Sequence, residues 1–227
     1  MEALRIYNAW QMTLENQGVE DERTAEGVDL SEKIIIFIGL EGSGKSSMAR
    51  RLAEESGRPY VSVGDILRDL EKNDLGPWGD LCREMFEKHV YLDPEKLLEI
   101  LEEKFRERDD LEDGFILDGG LRTLEEVLGF TAMLERAGRR WPIIVVALEI
   151  SGEVGVQRIL DKDNAKKRGK RKDDYKEAIL SRQSRYYDGL TERMVAIKEN
   201  FELFEIDAIE GERETFEKVY HALGLVQ

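Results

Sequence analysis

Cysteine is nearly absent from this sequence. Cys82 stands alone, which excludes an internal disulfide and points to a reducing compartment. Long apolar runs are missing too: no stretch approaches the roughly 20 residues needed to span a bilayer. The start, Met1-Glu2-Ala3-Leu4-Arg5, lacks the basic region and apolar run of a secretory signal. A cytoplasmic protein is expected. Positive charge is in deficit, with 34 Lys and Arg against 49 Asp and Glu and a net charge of −15. That balance works against non-specific binding to nucleic acid or anionic lipid, so neither a nucleic-acid nor a membrane partner is expected. It does not forbid a small anionic substrate, because a local basic patch overrides the global charge. His89 and His221 have no ligand spacing and read as structural, Cys82 as a small packing residue, and Trp10, Trp78 and Trp141 as packing anchors.

What is present is a chain of 227 residues, long enough for one α/β domain with small insertions and a full core. Residues 1–32 are polar and acidic. Leu4, Tyr7, Trp10 and Leu14 lie about one helical turn apart, as in a short amphipathic helix, and 18–27 reads as a linker. This extension reads as a packing appendage without chemistry. From Lys33 onward, β-rich apolar runs recur at 34–38, 60–63, 115–117, 143–148 and 203–206. Helical stretches such as 97–105 and 123–137 separate them. The alternation predicts a doubly wound parallel sheet of five strands, with ligands at the strands' carboxyl ends. The one biased segment, 166–172, is strongly basic.

The run at 34–38 leads into Gly39-Leu40-Glu41-Gly42-Ser43-Gly44-Lys45-Ser46 and then the helical Ser47-Met48-Ala49. This is G-x-x-x-x-G-K-[ST] in the strand, loop and helix setting that gives it meaning. Glycines let successive N–H groups turn inward toward phosphate oxygens, and the helix adds its positive end. Lys45 can reach the β- and γ-phosphates, and Ser46 can ligate Mg²⁺. The loop defines a nucleotide phosphate site but no reaction. Three more segments narrow the chemistry: Ser62-Val63-Gly64-Asp65-Ile66-Leu67-Arg68; Asp118-Gly119-Gly120-Leu121-Arg122-Thr123; and Arg171-Lys172-Asp173-Asp174 with Arg182 eight residues later.

With these four motifs in order, residues from about 33 to 225 resemble the adenylate kinase family of nucleoside monophosphate kinases. The resemblance implies a P-loop fold with a helical acceptor-binding insert at about 63–92, a short lid at about 160–172, and no cysteine cluster for zinc. It implies ATP with Mg²⁺, a monophosphate acceptor (AMP by default), and a monomer. ATP would be bound by Gly39, Glu41, Gly42, Ser43, Gly44, Lys45, Ser46 and Ser47, with Arg158 against its base. The acceptor would lie on Ser62, Val63, Gly64, Arg68, Leu92, Gly119, Arg122 and Glu126. Lys45, Arg122, Arg171 and Arg182 would be the catalytic residues: Arg122 with Arg68 holding the acceptor's monophosphate, Arg171 and Arg182 neutralising the transferring phosphoryl group. Asp118 would orient Mg²⁺ through water. Read by themselves, Arg68 and Arg122 also fit surface ion pairs, and the basic run fits a solvated loop as well as a lid.

Several positions depart from the family pattern. Val63 replaces a threonine, Gly120-Leu121 a Phe-Pro pair, Lys162 a second lid arginine, Glu41 a proline, and Ser46-Ser47 a Gly-Thr pair. Glu126 replaces the glutamine that reads adenine. An ionised carboxylate only accepts hydrogen bonds, so it suits the two donors of a guanine edge better than the mixed edge of adenine. GMP or a pyrimidine monophosphate is therefore an alternative acceptor. A nucleotide-binding regulatory protein on the same fold is the alternative of another class.

Overall fold

The computed structural model describes residues 30, 32–161 and 175–225. The expected N-terminal helix, the basic run, Lys162, Arg171, Asp173 and Asp174 lie outside the described residues. The chain runs from β1 (Lys33–Gly39) into α1 (Lys45–Ser56), β2 (Tyr60–Ser62), α2 (Val63–Asn73), α3 (Pro77–Lys88) and α4 (Pro94–Arg106). It continues through β3 (Gly114–Asp118), α5 (Leu124–Arg136), β4 (Ile143–Glu149) and α6 (Gly152–Leu160). Beyond the undescribed stretch follow α7 (Lys176–Tyr187), α8 (Leu190–Asn200), β5 (Glu202–Asp207) and α9 (Glu212–Ala222).

The five strands form one parallel sheet in the order β2-β3-β1-β4-β5. β1 is central, with β3 on one side and β4 on the other. Successive residues of β1 point to opposite faces, as strand geometry requires. Ile34, Ile36 and Ile38 join the core built with α2, α3, α4, α5 and α8. Ile35 and Phe37 join a second core with α1 and α9. A strand covered on both faces has to be apolar throughout, which is why β1 reads as one continuous run.

The element ends are set by capping groups and acids. β2 stops at Ser62, one residue short of the apolar run, because the Ser62 side chain accepts the Asp65 N–H at 3.2 Å and starts α2. Asp93 caps α4, and Pro94 occupies its first turn, so this helix begins before the periodic apolar residues. Residues 63–92 contain α2 and α3. Leu67, Leu70, Cys82 and Met85 tie both helices into the core shared with α4 and α5. Burial drives the Cys82 thiol up to about 11, in keeping with a packing residue. Trp78 and Trp141 pack on the same core and donate to Glu103 and to the Glu112 carbonyl. His89 ends α3 in a left-handed conformation.

Candidate nucleotide site

The site is assembled at the carboxyl ends of β1, β3, β2 and β4. After β1 the backbone of Gly39, Gly42 and Gly44 takes φ values of 148°, 89° and 91°, in the left-handed half that glycine enters most readily. Two of these glycines are also needed for space. A Cβ on Gly39 would lie 2.6 Å from the Leu148 carbonyl oxygen, and one on Gly42 would lie 2.7 Å from that of Gly155. The loop is thus pressed between β4 and α6. Among the described residues nothing lies within 4 Å of a Cβ built on Gly44, the N-cap of α1, whose first turn carries no acidic residue and no side-chain cap. The positive end of this helix's dipole suits an anion. Ser43 is buried, and its hydroxyl has no hydrogen-bond partner among the described residues. Ser46 and Ser47 are exposed in the first turn, with Lys45 half-buried beside them.

Across β1, Asp118 closes β3 in register with Phe37 and Ser62. It is buried and accepts the Tyr60 hydroxyl at 2.8 Å. Burial and the Asp118 charge push the Tyr60 phenol up to about 12. Arg50 lies 5.1 Å from the Tyr60 ring centroid and 3.7 Å from Asp65. Arg68 donates to Asp65 at 2.5 Å. Burial pushes the Asp65 carboxyl up, but hydrogen bonds from Arg68 and Ser62 and the Arg50 charge outweigh it and leave the group below its ordinary value. This network of α1, α2 and β3 joins the phosphate loop to Arg68. Gly64 sits in it by close approach: a Cβ there would be 3.0 Å from the Arg68 guanidinium.

Arg122 follows three consecutive left-handed residues, Gly119 (φ 88°), Gly120 (φ 94°) and Leu121 (φ 52°). Its guanidinium stands 5.4 Å from the Tyr91 ring centroid, a favourable cation–π distance. Val63 and Leu92 are buried core residues beside these segments, and Ser62 caps α2. Glu126 is 2% exposed. Its Oε2 accepts the Arg122 N–H at 2.9 Å, while its own N–H donates to the Thr123 hydroxyl at 3.1 Å. This reciprocal pair is a variant of the capping box at the start of α5. Burial raises the Glu126 carboxyl despite the positive charges of Arg122 and Arg193.

On the other flank, Arg182 of α7 donates to Glu41 of the phosphate loop at 2.6 Å. Arg158 of α6 donates to the carbonyl oxygens of Ala208, Ile209 and Glu210 at 2.8–2.9 Å and approaches that of Gly42 at 3.5 Å. It therefore lies between the phosphate loop and the loop after β5. The fold thus gathers Lys45, Asp118, Arg68, Arg122, Arg158 and Arg182 around one end of the sheet. Arg50, Tyr91 and Arg193 belong to the same surroundings and went unnoticed in the sequence. Each matters through a partner far along the chain, which no local spacing encodes. Among the described residues, no group of three or more His, Cys, Asp or Glu side chains is placed to hold a metal ion.

A parallel sheet with a glycine loop running from its central strand into an open helix end defines a P-loop nucleotide-binding protein of the α/β class. A family model described as adenylate kinase matches residues 37–200. The chain is similar to an adenylate kinase of Mycobacterium leprae, 34% identical over 197 residues covering 84% of this chain and 98% of the relative. It is 30% identical to one of Xanthomonas campestris over 191 residues, with the same coverage. With one of Thermotoga neapolitana the identity is 33% over 125 residues, covering 55% of this chain and 56% of the relative. The chain thus spans little more than half the length of the Thermotoga relatives it matches. It belongs to the adenylate kinase family.

Proposed function

We propose that this protein transfers the γ-phosphoryl group of ATP reversibly to a nucleoside monophosphate, with AMP as acceptor and two ADP as products. The observation that carries the reading is the placement of two arginines on the same side of β1: Arg122 just after β3, the neighbour of β1, and Arg68 in α2, which follows β2 on the far side of β3. In the transfer, a monophosphate oxygen forms a bond to Pγ as the bond from Pγ to the β-phosphate oxygen breaks. A phosphate oxygen is already a nucleophile, so no general base is required, and catalysis becomes positioning and charge neutralisation. In this reading Lys45 and the loop N–H groups hold the β- and γ-phosphates. Arg68 and Arg122 grip the acceptor through paired donors. Arg182, with Arg171 from outside the described residues, meets the charge on the transferring group. Mg²⁺ suits hard oxygen donors, and the exposed Ser46 hydroxyl and the Asp118 carboxylate offer such donors on adjacent strand ends. When bound, the ion would offset phosphate charge.

The case for guanine weakens at Glu126. Reading a guanine edge takes a carboxylate that faces the acceptor, whereas the Glu126 side chain is buried and turned to the Arg122 N–H. AMP therefore remains the favoured acceptor. The test is incubation with Mg·ATP and each of AMP, GMP, CMP, UMP and dTMP, following diphosphate formation. AMP-dependent turnover is expected, and Lys45→Ala should reduce it by about a hundredfold or more. ATP binding without transfer to any monophosphate would overturn the kinase reading in favour of a regulatory nucleotide-binding protein.

A further inference from the structure

We infer that Arg193 is a positioning residue for the acceptor-side Arg122, holding it through its backbone carbonyl. This rests on the kinase reading above. Arg193 lies one turn into α8 and is 1% exposed, the bulkiest of the fully buried side chains among the described residues. Its Nη1 donates to the Arg122 carbonyl oxygen. Its Nη2 donates to the Tyr186 carbonyl oxygen at 3.1 Å, and the guanidinium lies 4.8 Å from the Tyr186 ring centroid. No carboxylate of the described residues is within ion-pairing distance of it. A buried guanidinium served by carbonyls and a ring is a costly way to fill space, and an apolar side chain of similar volume would stabilise the fold at least as well.

The backbone around Arg122 supplies the reason for that cost. Residues 119–121 are all left-handed, and two of them are glycines, the least self-restraining residue. A segment of this kind does not fix the direction of the next side chain by itself. Arg122 is instead held from both sides of its own peptide groups. Glu126 takes its N–H and Arg193 takes its C=O, so a buried carboxyl and a buried guanidinium close on one residue. Glu126 belongs to α5 and Arg193 to α8, so the acceptor arginine is fixed relative to two packed helices. Through the Tyr186 carbonyl, Arg193 also ties it to α7, the helix whose Arg182 meets the phosphate loop at Glu41.

The test compares Arg193→Met and Arg193→Lys with the unaltered protein by steady-state kinetics, varying AMP and ATP separately, with thermal unfolding in parallel. Arg193→Met should raise the KM for AMP about tenfold while the KM for ATP stays within about twofold. Arg193→Lys keeps one charged donor and should recover part of the loss, and it carries the test if the methionine variant does not fold. A lower Tm with unchanged KM for AMP, or equal rises in both KM values, would mean a purely structural residue and overturn the inference. If the unaltered protein transfers no phosphate, the kinase reading fails on that result alone. AMP binding measured by calorimetry then decides the positioning role. About tenfold weaker binding in Arg193→Met supports it. Equal binding, or no AMP binding by the unaltered protein, overturns it.

Discussion

At Glu126 the position in the sequence and the contact in the fold point to different partners. Its place four residues after Arg122 suggested a group facing the acceptor base, since the family has a base-reading glutamine there. In the fold its carboxylate turns back to the Arg122 N–H, and the side chain is shut away from solvent. Thr123 and Glu126 form a local pattern visible in the sequence, a hydroxyl three residues before an acid. The pattern is ambiguous because a cap and a base reader look alike until burial is known. Glu126→Gln keeps a carbonyl oxygen for the Arg122 N–H, so the cap survives without an ionisable group. The ratio of kcat/KM for AMP to that for GMP should then stay within about threefold of the unaltered protein's. A shift toward AMP of about tenfold or more would assign the side chain to base recognition instead. The phosphate loop posed no such ambiguity, because its glycines encode their own backbone shape and clearance. Arg193 was illegible: nothing within several residues of it signals the Arg122 carbonyl.

At the scale of elements, the sheet was legible and its edges were not. β1, β3 and β4 are buried along most of their length and so appear as apolar runs, but β4 and β5 continue into Glu149 and Asp207, which pair across the sheet. Acids at a strand end read as loop in a sequence. In the fold they crowd together: Glu149 is packed near Glu205 and Asp207, with Lys198 paired to Glu205 at 2.9 Å. Burial first, and then the Glu205 and Asp207 charges, push the Glu149 carboxyl up to about 8, against the pull of Lys198. Tyr186, driven up to about 12 chiefly by its own burial, faces the same group. Between its ordinary value and about 8, Glu149 holds a proton in the folded state that the unfolded chain has released. Linkage then makes its contribution to stability fall as pH rises across that window. Glu149→Gln removes the dependence. The variant should match the unaltered protein near about pH 5 and gain on it by about pH 8. Thermal unfolding would show the gain as roughly 2–4 °C for each kcal/mol relieved. A constant difference between the two proteins across this range would place the titration elsewhere.

The whole molecule sets an excess of negative charge against a local concentration of cations. With a net charge of −15, it repels nucleotides at a distance, yet Lys45, Arg50, Arg68, Arg122, Arg158 and Arg182 all lie around the carboxyl ends of the sheet. Screening limits the long-range repulsion to about 8 Å at physiological ionic strength, so near the site the close arginines and the helix end dominate. Composition alone gave only the unfavourable half of this balance; the favourable half appears once the strand order brings distant cations together. In the proposed reading the site has two anion-binding halves, the phosphate loop after β1 and the arginines in α2 and after β3, and this predicts two separable ligand effects on folding. Mg·ATP at about a hundred times its Kd should stabilise the protein by about 2.7 kcal/mol, a rise in Tm of roughly 5–10 °C. AMP at the same multiple of its own Kd should do likewise. Lys45→Ala should abolish the ATP shift and keep the AMP shift, because Lys45 belongs to the loop and the acceptor arginines do not. Loss of both shifts in that variant would mean a single shared site. An ATP shift without any AMP shift in the unaltered protein would leave Arg68 and Arg122 with no acceptor to hold, and the regulatory reading would then account for the site better than the kinase.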